Sequence, residues 1–191
     1  MWLALAACSG GTPEPPPDPR PDILLVSLDT TRADALDSYG RGLWSSLGGG
    51  HADLPVTPHV DALAARGARF DLALAHAPTT LSSHAAVFTG EDGHRHGVVR
   101  NGWKLDDGAR TLAEALSDRG YDTRGVVGAS VLDSRHGIAQ GFRHWDDQLT
   151  VDRGPRHEAV AADVTARALR QLSAADADRP RACRRVVEDD P

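Results

Sequence analysis

The chain has 191 residues, of which 40% are hydrophobic and 25% are charged. This length and composition allow one domain with a sizeable core and exclude a chain too polar to fold. The formal net charge is -6, and the 21 basic residues are scattered among 27 acidic ones. No basic stretch stands out, so we expect no nucleic-acid partner.

Residues 1–21 are predicted to lie outside the folded domain. Residues 1–8, MWLALAAC, resemble a partial lipoprotein-type signal in which Cys8 is lipidated. Residues 9–21 are rich in proline and predict an extended linker. This interpretation implies a bacterial lipoprotein in an extracytoplasmic, periplasmic or cell-surface location, attached to a membrane through Cys8. The alternative is a free cysteine in a frayed terminal segment.

The apolar run DILLVSL at residues 22–28 is typical of a strand buried on both faces of a parallel sheet. Asp29 follows this run directly. Ligands gather at the carboxyl ends of strands in such sheets, so Asp29 is a candidate binding residue. The alternative is that Asp29 only caps a helical turn that begins in DTTRAD.

Four further elements are predicted along the chain. A helix begins at Thr57 and Pro58 and ends at Gly67, and a second helix spans residues 108–120. A strand is predicted at residues 121–127 and a helix at residues 158–172. The order of strand, helix and strand predicts a crossover connection and a parallel sheet. Residues 176–191 contain no apolar run, and we expect a charged, disordered tail there.

The block PTTLSSHAAVFTG at residues 78–90 predicts a helix preceded by several hydroxyl residues. A hydroxyl residue before a helix is usually an N-cap. The alternative is that the helix N-terminus binds an anion, with one hydroxyl directed at it. Local chemistry leaves both alternatives open.

Five blocks together resemble the N-terminal half of the sulfatases, in the alkaline phosphatase superfamily. They are DILLVSLDTTRAD, TPHVDALAARGARF, PTTLSSHAAVFTG, HRHGV and GYDTRGVVGASVLDSRHGIAQGF. The resemblance implies an α/β protein: an alkaline phosphatase-like α/β/α sandwich with a mostly parallel sheet, here truncated. Residues 22–175 would form the incomplete catalytic domain.

The resemblance also assigns roles to single residues. Asp29 corresponds to a ligand of a divalent metal, usually calcium in sulfatases, with zinc or manganese as alternatives. Thr80 takes the place of the cysteine or serine that becomes formylglycine. Threonine is not converted in this way, so Thr80 is a candidate nucleophile in its own right. Ser83 corresponds to the serine of the motif and is a candidate anion-binding residue.

Histidines make up a second set of candidates. His84 corresponds to the arginine of the family motif, and the resemblance implies that it donates to the ester oxygen or orients Thr80. The alternative is a histidine on the helix surface. His94 and His96 lie in the HGV corner, where solvent exposure is the usual outcome. Gly128 occupies the position of the lysine that grips sulfate in the family.

These assignments imply a metal-dependent hydrolase of sulfate or phosphate esters that acts on small molecules, glycans or lipids. A phosphoryl-group transferase of the same superfamily is one alternative. A catalytically inactive remnant is another, because the family's remaining metal ligands belong to a second half of the fold.

Overall fold

The structure is a computed structural model that describes residues 20–40, 57–149 and 159–174, together with the backbone of three strands outside these ranges. The helices are α1 (Pro58–Ala64), α2 (Thr80–Thr89), α3 (Gly93–His96), α4 (Leu112–Ser117) and α5 (Ala161–Ser173). The strands are β1 (Ile23–Asp29), β2 (Asp122–Val126), β3 (His144–Asp146), β4 (Asp152–Arg153), β5 (Arg156–His157) and β6 (Arg181–Glu188). None of the described helices is long and apolar enough to cross a membrane.

Four strands form a parallel sheet in the order β1-β6-β2-β3. Strands β4 and β5 form a separate antiparallel pair. The predicted parallel sheet and α/β class are therefore confirmed. The crossover from β1 to β2 carries α2 and α4, as expected for parallel strands, which cannot be joined by a tight turn.

Strand β6 corrects the prediction of a disordered tail over residues 176–191. Its backbone pairs with β1 from Ile23↔Ala182 to Asp29↔Glu188, and with β2 from Asp122↔Arg181 to Val126↔Arg185. Each neighbour offers an open row of N–H and C=O groups, and a strand between them satisfies both rows. Backbone pairing does not need an apolar run, which is why the side-chain pattern failed to predict this strand.

The core lies on both sides of β2. Val127 packs into a cluster on the α2 side, and Val126 packs against α5 on the other side, because successive residues of a strand point to opposite faces. The first cluster contains Leu81, Ala85, Phe88, Val98, Leu105, Val127, Leu132 and Ile138. The second contains Val126, Ala159, Val164 and Ala168. These two layers around one sheet give the α/β/α arrangement.

Gly125, in the middle of β2, is required by the packing of an aromatic side chain. A Cβ atom at this position would lie 2.4 Å from Cε3 of Trp145. The Trp145 ring packs against Phe142 with ring centroids 4.9 Å apart, and Phe142 packs against Phe88 with centroids 5.5 Å apart. The indole therefore rests directly on the backbone of β2.

The predicted helices form with shifted ends. Of the helix predicted at residues 108–120, only Leu112–Ser117 is α-helical. The reason is a capping box, in which Thr111 accepts from the Glu114 N–H and the Glu114 carboxylate accepts from the Thr111 N–H. The prediction for Pro58 is confirmed, since α1 begins at that residue.

Candidate functional site

Asp29 is the last residue of β1 and lies, half-buried, at the carboxyl edge of the sheet. Its Oδ1 atom accepts a hydrogen bond of 2.8 Å from the backbone N–H of Thr30. Thr30 has a φ of 61°, a left-handed conformation that costs a β-branched residue about 1–3 kcal/mol. The turn after β1 is therefore strained, and this turn aims the Asp29 carboxylate. The structure shows no helix capped by Asp29 among the described residues.

Thr80 contacts Asp29 directly. The Thr80 hydroxyl donates to Oδ2 of Asp29 over 2.8 Å, across a separation of 51 residues. The N-cap of α2 is Thr79 and not Thr80, so Thr80 is the first helical residue. The predicted juxtaposition of the two side chains is thus present, with the hydroxyl at the positive end of a ten-residue helix.

His84 lies inside the fold, and the alternative of a surface histidine is wrong: its exposed fraction is 4%. Nδ1 is 2.7 Å from the backbone oxygen of Thr80, and Nε2 is 3.3 Å from Oγ of Ser27. A nitrogen that faces a carbonyl oxygen carries the proton, so Nδ1 donates to Thr80, and in the neutral ring Nε2 is then the acceptor for the Ser27 hydroxyl. His84 therefore ties the first turn of α2 to β1, and these contacts involve the backbone of Thr80.

Ser83 is half-buried on α2, and its backbone N–H donates to the Thr79 oxygen over 3.0 Å. Its neighbour Ser82 is 1% exposed and accepts, through its Oγ, a hydrogen bond of 3.1 Å from the Thr79 hydroxyl. The Ser82 hydroxyl is thus used for a local pair with Thr79.

Asn101 belongs to the site and was not predicted from the sequence. Its Oδ1 accepts from the backbone N–H of Leu81 over 2.9 Å. This contact satisfies one of the free N–H groups at the start of α2 and fixes the turn that carries Thr80. The sequence offered one clue, namely that Asn101 follows the HGV corner by only a few residues. This clue does not predict the contact, because no rule of local spacing links Asn101 to α2.

The donor atoms at Asp29 and Thr80 are oxygens, as hard divalent cations such as calcium prefer. Calcium takes about six to eight oxygen ligands. Within residues 20–40, 57–149 and 159–174 there is no group of three or more His, Cys, Asp or Glu side chains placed to hold a metal ion. The described residues therefore offer the type of donor atom that such a cation prefers, but they supply only part of its coordination shell.

The remaining candidates lie apart from this contact. His94 is exposed as predicted, whereas His96 is only 4% exposed, which corrects the prediction for that residue. Burial lowers the pKa of His96, and its Nδ1 accepts from the Val98 N–H over 3.1 Å. Gly128 accepts through its backbone oxygen from the Ala159 N–H over 2.7 Å. Cys8 lies outside the described residues.

Comparison with known families decides the classification. The sulfatase family model matches residues 21–181, which is most of the chain. The chain belongs to the sulfatase family. This match covers β1, α2 and β2, and therefore both Asp29 and Thr80.

Curated relatives are all much longer than this sulfatase-family chain. An N-acetylglucosamine-6-O-sulfatase of Bacteroides thetaiotaomicron is 29% identical over 143 residues, covering 75% of this chain and 23% of the relative. Human arylsulfatase G is 36% identical over 110 residues, covering 54% of this chain and 20% of the relative. The chain thus spans about a quarter or less of the length of these two proteins.

Solved structures show the same fold. A protein in complex with its substrate D-glucosamine-2-N,6-O-disulfate matches with a TM-score of 0.68 and 23% identity, covering 90% of this chain and 35% of that one. The phosphonate monoester hydrolase of Agrobacterium radiobacter matches with a TM-score of 0.60 and 23% identity, covering 87% of this chain and 41% of that one. At 23% identity the similarity to these structures shows the fold alone, and this fold is alkaline phosphatase-like.

Proposed function

We propose that this chain provides the nucleophile-bearing part of a hydrolase that cleaves sulfate esters, with Thr80 as the nucleophile. The observation that carries the proposal is the 2.8 Å hydrogen bond from the Thr80 hydroxyl to Asp29. Family membership supports the reaction class. The contact supports the choice of Thr80, because a catalytic hydroxyl must be oriented by a group that accepts its proton.

The reaction would proceed in two displacements at sulfur. In the first, Oγ of Thr80 bonds to sulfur, the ester S–O bond breaks, and the leaving alcohol takes a proton from water. The Thr80 proton passes to Asp29, which already accepts it. In the second, water attacks sulfur and gives a proton to the hydroxide left by the first step. The bond between sulfur and Oγ of Thr80 breaks, Thr80 recovers its proton from Asp29, and the group leaves as hydrogen sulfate.

The first turn of α2 would stabilise the negative charge that develops on the transferred group. Backbone N–H groups at a helix start attract anions, and preorganised donors cost no reorganisation during the reaction. Asn101 and His84 hold this turn from two sides, through Leu81 N and the Thr80 carbonyl. Ser83, about one turn along α2 from Thr80, is the proposed side-chain contact for the anion.

We also propose that Asp29 ligates a divalent metal, with calcium first and zinc or manganese as alternatives. A bound cation would lower the pKa of the hydroxyl and offset the charge of the sulfate group. Ligands beyond Asp29 and Thr80 would come from residues other than those described.

The decisive experiment compares the wild-type chain with Thr80→Ala and Thr80→Ser. We expect Thr80→Ala to lose turnover of 4-nitrophenyl sulfate by at least about 100-fold, and Thr80→Ser to retain part of it. Circular dichroism would verify that both variants fold. The assay is repeated with EDTA and with calcium, zinc or manganese restored, and Asp29→Asn should weaken the response to metal. Full turnover by Thr80→Ala would refute the mechanism.

The same assay separates the alternatives. Turnover of 4-nitrophenyl phosphate that accelerates when a sugar or lipid acceptor is added would identify a phosphoryl-group transferase. Absence of turnover for every ester and metal, in a chain that is folded, would identify an inactive remnant.

We further propose an extracytoplasmic location with attachment to a membrane through lipidated Cys8. The support is the sequence of residues 1–8 and the proline-rich segment that follows. Mass spectrometry of the N-terminal peptide from cells would detect the lipid, and an unmodified Cys8 would contradict this proposal.

A further inference from the structure

Asn101 is the only asparagine in the chain, and it is followed by a glycine. Asn101 and Gly102 form an exposed turn between α3 and α4, and Gly102 has a φ of 84°. A Cβ atom added to Gly102 would meet no atom of the described residues within 4 Å. The peptide unit between the two residues therefore has open space around it and the conformational freedom of glycine.

The backbone nitrogen of Gly102 is free to react with the side chain before it. Within the described part of the chain, its N–H donates to no hydrogen bond. A bond from this nitrogen to Cγ of Asn101 closes a succinimide ring. Because both groups belong to adjacent residues, the reaction is intramolecular and has a large entropic advantage.

The side-chain carbonyl of Asn101 is polarised by the start of α2. Its Oδ1 accepts a hydrogen bond of 2.9 Å from the Leu81 N–H. Leu81 is the second residue of α2 and lies at the positive end of the helix dipole. Attack at Cγ places negative charge on Oδ1, and a donor already fixed on that oxygen stabilises this charge, as in an oxyanion hole. The contact that holds the turn of Thr80 therefore also activates the Asn101 amide.

Gln140 offers an internal comparison, because it is also an amide residue followed by a glycine. Its Nε2 donates to the Ala109 carbonyl over 2.8 Å. A Cβ atom added to Gly141 would lie 2.3 Å from the Glu114 backbone nitrogen, so the backbone here is packed tightly against α4. The Gln140 amide is thus held through its nitrogen in a tightly packed segment. The Asn101 amide is held through its oxygen, and its nitrogen is left free to depart.

We infer that Asn101 and Gly102 form a self-modification site, at which Asn101 deamidates in the folded protein. The Gly102 nitrogen bonds to Cγ of Asn101, the bond from Cγ to Nδ2 breaks, and ammonia leaves with the Gly102 proton. Water then opens the succinimide. Attack at Cγ breaks its bond to the Gly102 nitrogen and gives aspartate, whereas attack at the Asn101 backbone carbonyl carbon breaks that carbon's bond to the same nitrogen and gives isoaspartate. One proton of the water restores the Gly102 N–H, and the other dissociates from the new carboxyl group.

The two products change the start of α2 in different ways. Aspartate keeps an oxygen that accepts from the Leu81 N–H, but it adds a negative charge beside the helix start that is proposed to bind the sulfate group, and like charges repel. Isoaspartate lengthens the main chain and shortens the side chain by a methylene group, which removes the contact with Leu81. Both products should lower turnover. This consequence rests on the proposed function, whereas the deamidation itself does not.

The first test follows Asn101 by peptide mass spectrometry while the purified chain is stored in native buffer and, in parallel, in guanidinium chloride. Deamidation should occur at Asn101 and not at Gln140, and the control Asn101→Gln should stay unmodified. The contact with Leu81 is lost in the denaturant, so we expect the rate in native buffer to be at least as high as the rate in guanidinium chloride. A lower rate in the folded chain, or an intact Asn101, would overturn the inference.

The second test separates the modification from the proposed function. Turnover of 4-nitrophenyl sulfate is measured for the fresh chain, for the aged chain and for Asn101→Asp, which reproduces one product. We expect Asn101→Asp to raise KM about tenfold, and the aged chain to lose activity as Asn101 is converted. Full turnover by a fully deamidated chain would overturn the inferred effect on the site. If no ester is turned over but Asn101 deamidates, the proposed function fails and the modification site stands. If esters are turned over and Asn101 stays intact, the modification site fails and the proposed function stands.

Discussion

Strands β1 and β2 lie in the same sheet and pair with the same neighbour, yet their burial is opposite. All residues of β2, with the sequence DTRGV, are buried. None of the residues of β1, with the sequence ILLVSLD, is fully buried, and Leu24 and Val26 are 60% and 47% exposed. The more apolar strand is therefore the less covered one. Burial in this sheet is set by which elements pack on a strand and not by the strand's own hydrophobicity.

The reason lies in the layers on each side of β2. Trp145 and α2 cover one face, and α5 covers the other. Polar side chains of β2 find partners within these layers, since the Arg124 guanidinium binds Asp122 at 2.8 Å and Gln171 at 2.9 Å. A buried strand can thus contain an ion pair when its partners are buried with it. The described residues place no such layers on strand β1. The two curated relatives of the chain are several times longer than the chain itself.

The largest expected effect comes from Gly125→Ala in β2. The new methyl group would lie 2.4 Å from the Trp145 ring, and the indole cannot move without disturbing Phe142. We expect a loss of about 3 kcal/mol in the free energy of unfolding, or failure to fold. Urea denaturation followed by circular dichroism measures this loss. A variant as stable as wild type would show that Trp145 does not rest on β2.

A smaller effect, with a matched control, is expected from the same substitution in each strand. Val126→Ala removes a fully buried side chain from β2 and should cost about 2 kcal/mol. Val26→Ala removes a half-exposed one from β1 and should cost less than about 1 kcal/mol. Equal losses in urea denaturation would contradict the difference in cover between the two strands.

The sequence predicted those elements in which local pattern and fold agree. The apolar run before Asp29 correctly predicted the strand β1 but wrongly predicted its burial on both faces, and the hydroxyl-rich turn before HAAVF predicted α2. The strand pattern alone placed Asp29 at the carboxyl edge of the sheet, whereas the pairing of Asp29 with Thr80 was predicted from the resemblance to the sulfatases. Local chemistry left the role of the hydroxyl residues before α2 open.

Other features depend on contacts that leave no local pattern. Strand β6 forms because β1 and β2 both offer backbone groups to it, although its own sequence is charged. Asn101 reaches Leu81 only through the folded path of the segment after α3. His84 is buried because Ser27 and the Thr80 carbonyl each provide a partner for one ring nitrogen. The Leu81 N–H lies 20 residues from Asn101, and Ser27 lies 57 residues from His84, whereas the Thr80 carbonyl is a local partner four residues before His84.

The smallest expected effect concerns His96, the last residue of α3, which is 4% exposed. Desolvation lowers its pKa from the ordinary 6.5, opposed by a backbone hydrogen bond and by the nearby carboxylates of Asp92 and Glu91, and assisted by the charge of His76. Because the folded-state pKa lies below the unfolded one, the unfolded chain binds the extra proton more readily. The free energy of unfolding should therefore fall as the pH drops below 6.5 and level off below the lowered pKa.

His96→Asn isolates this contribution, because the asparagine oxygen can still accept from the Val98 N–H that now donates to Nδ1. The quantity to measure is the difference between the two urea-denaturation profiles from pH 8 to about pH 5, in which contributions shared by both chains cancel. We expect the variant to lose less stability than wild type on acidification, and exposed His94→Asn to follow wild type. Parallel profiles for His96→Asn and wild type would mean that the imidazole remains solvated and that this side of the molecule is less covered than β2.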